Sequence, residues 1–343
     1  MSHDPVRALF LPLAEGFVAW PVGHRALFLG ALPDAALDGG WTDRLACVQP
    51  LKPAHDRLAA LGFAVAPERA ETADLVFVLL GKQKHENLGL IADGFAAARP
   101  GGRVVIAGAN DIGAARYEKM LAGLLPLDGN LFRFHARAFW AGKPAVEPAE
   151  FAAWRAEAGP RRIVDGRWMS QPGIFAWDRV DPGSALLTEQ FPPRIGGTVA
   201  DLGSGWGYLS ATLLDRYPDI TAIDLYEADA RALACARANL GADARVSFHW
   251  ADVTQGLPAR RYDWIVSNPP FHEGRGQRVE LGQGFIAAAS GALKPGGRFL
   301  LVANRQLPYE ATLGKHFASH QAVVDAKGYK VIVASGPRSA SAR

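Results

Sequence analysis

Cysteine is almost absent from this 343-residue chain: only Cys47 and Cys235 occur, in unlike contexts, so neither a disulfide framework nor a paired-cysteine metal site can be assembled. A reducing compartment is the expectation. No apolar stretch reaches the roughly 18 residues that a membrane-spanning helix requires, and Met1 to Pro12 carry no charged segment leading into an apolar run. A cytoplasmic protein without membrane attachment is expected. No charge of one sign dominates either. The 37 Lys and Arg against 34 Asp and Glu leave a net of +3, which permits an anionic partner without demanding one. Long disorder lacks its compositional basis, since hydrophobic residues make up 49% and charged residues 21%. The length exceeds what one ordinary core needs and predicts two domains.

What is present includes a repeat. Asp74-Leu-Val-Phe-Val-Leu-Leu-Gly81, ending in Pro100-Gly-Gly-Arg-Val-Val-Ile-Ala107, matches Asp263-Trp-Ile-Val-Ser-Asn-Pro-Pro270, ending in Pro295-Gly-Gly-Arg-Phe-Leu-Leu-Val302. Each copy reads as strand, polar turn, Ala-rich helix, Pro-Gly-Gly turn and strand, and the matched order points to duplicated domains. The second copy is the longer, its extra residues including Glu273, Gly274 and Arg275. Breakers at Gly142-Lys-Pro144, Glu147-Pro148 and Gly159-Pro160 flank a short helical piece, Ala149 to Ala158, and place the boundary near residue 157. Domains of 1–157 and 158–343 follow. In the second, the apolar pattern predicts strands Thr198–Leu202, Ile220–Tyr226, Arg245–Ala251, Trp264–Ser267, Arg298–Ala303 and Gly328–Ala334. Helices are predicted at Tyr208–Tyr217, Ala228–Leu240 and Gly284–Leu293. Such alternation implies an α/β fold with a mostly parallel sheet covered on both faces.

Ala200-Asp201-Leu202-Gly203-Ser204-Gly205-Trp206-Gly207 stands where the first of these strands gives way to a helix, the place where open α/β sheets bind ligands. Glycines at 203, 205 and 207 let a ligand approach the backbone closely. The spacing is GxGxG; a dinucleotide fingerprint would need glycine where Tyr208 stands, which disfavours an NAD enzyme. With Asp201 before it, the loop resembles motif I of class I methyltransferases. That resemblance implies S-adenosylmethionine as cofactor and makes Asp201, Gly203, Ser204, Gly205 and Gly207 binding residues. It also implies an acid closing the second strand that accepts from the ribose hydroxyls. Glu227 fits, beginning Glu-Ala-Asp-Ala-Arg-Ala-Leu233; Asp224, inside the apolar run, is the alternative. Asp252, after the third strand, resembles the acid that reaches the adenine amino group, and a turn-starting Asp has the same pattern.

Ser267-Asn268-Pro269-Pro270-Phe271 carries the most specific chemistry. Two prolines fix φ near −65° and push the preceding residue into extended geometry, which holds the Asn268 side chain and the Asn268 and Pro269 carbonyls rigidly. These groups are acceptors. They suit a planar exocyclic amine, whose lone pair is delocalised into its ring and must be turned toward an electrophilic carbon. If the Asn268 amide oxygen and a backbone carbonyl take the two N–H protons, positioning supplies much of the rate. Asn268, Pro269 and Phe271 are thus the catalytic candidates, with Asn268 also lining the cofactor site. Phe271 offers a face for base stacking, with core packing as its other reading. No metal is called for. A base in structured RNA must leave its stack to enter such a pocket. His272 fits a proton acceptor or a rim residue.

Taken together, these motifs resemble the bacterial ribosomal RNA guanine-N2 methyltransferases of the small subunit. Pro172-Gly-Ile-Phe175, Asp181-Pro-Gly-Ser184 with Leu186-Leu187, Val302-Ala-Asn304-Arg-Gln-Leu-Pro308-Tyr309 and Lys327-Gly-Tyr-Lys330-Val331 extend the likeness over most of residues 165 to 335. The resemblance implies two tandem Rossmann-like domains with seven-stranded sheets, the first a degenerate duplicate that supports RNA binding or folding. Phe28-Leu29-Gly30 stands there for Asp201-Leu202-Gly203, and Gly81-Lys82-Gln83-Lys84 for the Asn-Pro-Pro-Phe turn. Ribosomal RNA, in the small subunit or its assembly intermediate, is the implied partner of a monomeric enzyme. The sequence departs from the commonest form at Ser204, usually Cys, and Glu227, usually Asp. Alternatives that share parts of the pattern are the large-subunit guanine-N2 enzyme, a glutamine-N5 protein methyltransferase and a non-catalytic RNA-binding assembly factor.

Overall fold

The computed structural model of the chain describes residues 4–21, 25–37, 39–69, 71–258, 261–270 and 275–338. It divides into two compact units: Met1–Pro160 with Gln171–Gly173, and Arg161–Ser170 with Ile174–Arg343. The helix Ala149–Ala158 closes the first unit, so the stretch that carries the chain onward begins with Gly159-Pro160.

The first unit holds strands β1 (Ala26–Leu29), β2 (Leu45–Val48), β3 (Ala64–Ala66), β4 (Ala73–Leu79), β5 (Ala98–Ala109), β6 (Gly129–Arg133) and β7 (Ala136–Gly142). A two-stranded ribbon, β8 (Arg161–Ile163) and β9 (Trp168–Ser170), opens the second. Then come β10 (Gly197–Leu202), β11 (Ile220–Glu227), β12 (Val246–Trp250), β13 (Tyr262–Ser267), β14 (Leu293–Asn304), β15 (Phe317–Ala326) and β16 (Tyr329–Pro337). The first sheet has the order β3-β2-β1-β4-β5-β7-β6 and the second β12-β11-β10-β13-β14-β16-β15, one topology used twice. In both, the last two pairings in the order (β5–β7 and β7–β6, β14–β16 and β16–β15) are antiparallel and the others parallel.

Both faces of each sheet are covered, and the strands alternate between the two cores because successive side chains point to opposite faces. Leu27, Val76, Val78 and Ile106 join one core of the first unit, and Phe28, Phe77 and Val105 the other. In the second unit Ala200, Leu202, Ile265 and Phe299 pack on one face, and Val199, Ile223, Val266 and Leu300 on the other.

Where the sequence predicts a Pro-Gly-Gly turn, the ladder continues through a bulge. Pairing passes from Ala73↔Ala98 to Leu75↔Arg103 in the first sheet, and from Tyr262↔Leu293 to Trp264↔Arg298 in the second. Gly101 and Gly296 take φ of 79° and 82°, so the repeat is visible in the backbone as well as in the letters. The following glycine is held by crowding: a Cβ at Gly102 would lie 2.8 Å from the Asp74 carbonyl oxygen and 2.9 Å from that of Arg99. Gly102→Ala is therefore expected to destabilise the first unit by about 1–3 kcal/mol. Denaturant unfolding checks this, and an unchanged midpoint would contradict it.

Candidate functional site

In the second sheet the chain runs outward from β10 to β12 and returns to pair β13 with β10, so the carboxyl ends of β10 and β13 form the switch point of an open α/β sheet. The glycine loop and the Asn-Pro-Pro corner both leave the sheet there, one after Leu202 and the other after its neighbour Ser267. The buried Ser267 hydroxyl ties the two exits by donating to the Leu202 carbonyl at 2.7 Å.

The loop is built to bring backbone close to whatever lies above it. Gly203, Gly205 and Gly207 have φ of 73°, 54° and 94°, a region that costs other residues strain. A Cβ at Gly203 would meet the Phe285 ring at 3.2 Å and the Asn268 carbonyl oxygen at 3.9 Å, and one at Gly207 would meet Leu240 at 2.9 Å. At Gly205 a Cβ would project into open space. Trp206 anchors the loop, donating its indole N–H to the Ala176 carbonyl at 3.2 Å and packing 5.5 Å from Trp168 of β9. Asn239 completes the clamp, binding the Trp206 carbonyl at 2.8 Å and both backbone polar groups of Met169.

Glu227, the last residue of β11, reaches back to this loop. Its Oε2 accepts from the Gly205 N–H at 2.7 Å and its Oε1 from the Asp229 N–H at 2.9 Å, which fixes the carboxylate in one orientation. Asp224, the alternative acid, is committed elsewhere: it is buried, accepts from the Tyr262 hydroxyl at 2.6 Å and lies 3.3 Å from the His249 imidazole. The His249 ring stacks on Tyr226 at 4.5 Å. Asp252 follows β12 and caps the short 3₁₀ turn Val253–Gln255 through the backbone N–H and hydroxyl of Thr254, at 3.0 and 2.6 Å. The turn-starting pattern is thus realised there, at the end of the strand beside Glu227.

Asp201 is fully buried at the end of β10 and accepts the Ser210 hydroxyl at 2.7 Å through Oδ2. Asn268 is buried as well, and its amide nitrogen donates to Asp181 Oδ2 and to Ser184 Oγ, each at 2.8 Å. A carboxylate only accepts, so the amide atom that faces Asp181 is the nitrogen and the oxygen is turned away. Asp181 and Ser184 belong to the start of helix Pro182–Glu189, where Asp181 also caps the Ser184 N–H at 2.8 Å. Neither was among the residues singled out as a site from sequence. The capping signal, Asp followed by Pro at the first helical position, was legible there. Pro269 is buried and Pro270 exposed beside Asn268. Phe271 and His272 lie outside the described residues.

Among the described residues, three buried polar atoms at this corner lack a hydrogen-bond partner: Asp201 Oδ1, Ser204 Oγ and Asn268 Oδ1. Such orphans in a folded protein point to a ligand, since leaving them unpaired costs about 1–3 kcal/mol each. The first unit shows the contrast at the same places. By register Leu79, a buried hydrocarbon, stands where Asn268 stands, so the expected substitution by Gly81-Lys82-Gln83-Lys84 is displaced: Leu79-Leu80-Gly81-Lys82 occupies that corner. Gln49 takes the place of Glu227 and folds inward, donating to the Ala31 carbonyl at 2.6 Å and accepting from the Leu51 N–H at 2.8 Å. Asn87 closes on Gly81, accepting its N–H at 2.7 Å and donating to its carbonyl at 2.8 Å. Among the described residues no group of three His, Cys, Asp or Glu side chains is arranged to hold a metal ion, and no helix is long and apolar enough to cross a membrane.

Burial pushes the Asp201 carboxyl from its ordinary 3.8 up to about 7, against the pull of the Ser210 hydroxyl and with a further push from Glu227. Burial likewise raises Glu227 from 4.5 to about 7, partly offset by the backbone N–H donors. Both groups therefore bind protons more tightly in the fold than in the unfolded chain, and their contribution to stability declines as pH rises from about 4 to about 7. Asp201→Asn, which cannot ionise, escapes its share of that decline. Its stability relative to wild type is expected to improve between pH 5 and pH 8 in denaturant titrations without ligand; a difference independent of pH would contradict the assignment.

Residues 165–333 match the family model of the methyltransferase small domain. The ribosomal RNA small subunit methyltransferase C of Shewanella pealeana is 35% identical over 159 residues, which span 46% of each chain. The protein of the same name from Photorhabdus laumondii is 28% identical over 80% of each chain, and that of Salmonella newport 32% identical over 67% of this chain and 66% of its own. Among solved structures, the T. thermophilus 16S rRNA N2 G1207 methyltransferase (RsmC), in complex with AdoMet and guanosine, superposes with a TM-score of 0.75 at 27% identity. It covers 97% of this chain and 92% of its own. The chain belongs to the ribosomal RNA small subunit methyltransferase C family.

Proposed function

We propose that this protein is an S-adenosylmethionine-dependent methyltransferase that modifies the exocyclic N2 of a guanine in 16S ribosomal RNA. The observation that carries the reading is the Asn268 amide, whose nitrogen donates to two acceptors so that its buried oxygen stands without a partner beside the glycine loop. The T. thermophilus relative solved with AdoMet and guanosine supports the choice of both ligands.

The residues suit the cofactor. Asp201 Oδ1 and, within the glycine loop, Ser204 Oγ are orphaned, Gly205 of the same loop borders open space, and the half-buried Glu227 carboxylate is oriented by backbone donors. Glu227 would take the ribose hydroxyls, Asp201 the amino end, and Asp252 the adenine edge. When bound, S-adenosylmethionine supplies an electrophilic methyl carbon on a sulfonium. The chain's own part is positioning. Asn268 Oδ1 accepts one amino N–H of the base and a carbonyl of the Asn268-Pro269 backbone the other, which aims the nitrogen lone pair at the methyl carbon. The amino proton released when the nitrogen takes up the methyl group would leave to water. Oxygen acceptors fixed before the reaction stabilise the positive charge that develops on the amine without having to reorganise. Phe271, following the corner in sequence, supplies a face on which the base stacks, and the enzyme acts as a monomer.

Asn268→Ala is expected to leave cofactor affinity within about twofold while cutting methyl transfer by roughly 10²–10³-fold, the scale of losing one preorganised polar contact to the transition state. Calorimetry and a radiolabelled transfer assay on 16S rRNA from a strain lacking this protein measure the two. Undiminished transfer retires Asn268 from the role. Gly205→Val places side-chain atoms in the space above the loop and is expected to abolish cofactor binding; normal affinity would show that the loop serves another purpose. Mass spectrometry of rRNA from the deletion strain should find one N2-methylguanine missing from the small subunit, and a complete complement would refute the substrate.

A further inference from the structure

We infer that Asp181, with Ser184, is a positioning residue for this reaction: it sets the direction of the Asn268 amide and strengthens its oxygen as an acceptor. The inference rests on the methyltransferase reading above. A primary amide can turn over, presenting either its oxygen or its nitrogen, and at the corner of β13 only the oxygen can accept from an amine. The prolines that follow fix the backbone, but nothing in a Pro-Pro corner chooses between the two ends of the side chain.

The choice is made 87 residues upstream. Asp181 Oδ2 and Ser184 Oγ each stand 2.8 Å from Asn268 Nδ2, so both amide hydrogens are used and the oxygen has no role in the clamp. Asp181 is itself held, because the same Oδ2 caps the Ser184 N–H at 2.8 Å at the start of helix Pro182–Glu189. The local backbone has no slack: a Cβ at Gly183 would come within 2.9 Å of the Tyr329 ring and 3.0 Å of Asp181 Oδ2. Turning the amide over would set its oxygen against a carboxylate oxygen, two acceptors facing each other. The carboxylate also polarises the amide. Negative charge at the N–H end draws electron density toward Oδ1, and a charge-assisted hydrogen bond is roughly twice as strong as a neutral one. Asp181 thus acts on the base only through Asn268 and touches no reacting atom.

Three variants separate this from helix capping. Asp181→Ser keeps a good capping side chain but is too short to hold the amide nitrogen. Asp181→Asn retains an oxygen at the same reach without the charge. Asp181→Ala loses both. With 16S rRNA from the deletion strain as substrate, kcat is expected to fall about 100-fold in the Ala and Ser variants and about tenfold in the Asn variant, the conservative change rescuing part of the loss. The cofactor Kd is expected to stay within about twofold in all three, and the Ser variant to melt within a few degrees of wild type. A merely structural role predicts the reverse for Asp181→Ser: intact kcat, with any loss tracking thermal stability. Wild-type transfer together with an unaltered kcat in folded Asp181→Ala and Asp181→Ser overturns the inference alone. Absence of wild-type transfer to that RNA overturns the functional reading and the inference with it.

Discussion

The amide of Asn268 is the constraint on which the site turns. Its nitrogen is spent on Asp181 and Ser184, so its oxygen is left pointing away from them, buried and without a partner. Placing an unsatisfied acceptor in a packed region is unfavourable for the empty fold, and the surroundings are arranged to tolerate it. The preceding Ser267 is locked to Leu202, the following Pro269 is buried, and the glycine loop comes close enough that a Cβ at Gly203 would lie 3.9 Å from the Asn268 carbonyl. The same logic governs the neighbouring acids. Asp201 and Glu227 are held where burial raises both to about 7, a cost that a cationic ligand near the first and hydroxyl donors near the second would relieve.

The duplicated first unit shows what the same topology becomes when this cost is removed. Its sheet has the same strand order and the same bulge at its Pro-Gly-Gly, yet Leu79 stands at the corner where the second unit has Asn268, and Gln49 where it has Glu227. Gln49 and Asn87 close their hydrogen bonds on nearby backbone, and Gly30 is pressed against the Leu79 carbonyl, which a Cβ would meet at 2.9 Å. One fold thus carries two polar arrangements: one satisfied from within, the other left open at the carboxyl ends of the strands. The fold alone therefore assigns chemistry to neither unit; the side chains at the switch point distinguish them.

Much of this was legible in the letters, and the reasons for the remainder are physical. The central strands of the second unit declare themselves because burial on both faces makes them near-continuous apolar runs, and β10, β11, β13, β14 and β16 lie where the sequence puts them, within a few residues at their ends. The strand β15 escapes notice because it is a largely exposed edge that pairs only with β16, so nothing obliges it to alternate. The helix predicted from Gly284 begins at Arg275 instead. Gly282 and Gly284 lower its apparent propensity, but they are packing positions: a Cβ there would collide with Tyr309 or press on Thr254. The glycine loop, Glu227 and the Asn-Pro-Pro corner are contiguous motifs and readable as such. The clamp on Asn268 is not, since it joins side chains 84 and 87 residues apart and emerges only once helix Pro182–Glu189 is seen beside β13.

The account is tested most directly by a high-resolution crystal structure of this protein with S-adenosylhomocysteine and guanosine, refined with the Asn268 amide free to adopt either orientation. Asn268 Oδ1 should lie about 2.8–3.1 Å from the guanine N2, with Nδ2 still on Asp181 and Ser184. A guanine N2 directed away from that oxygen, or an amide turned so that its nitrogen faces the base, would contradict it.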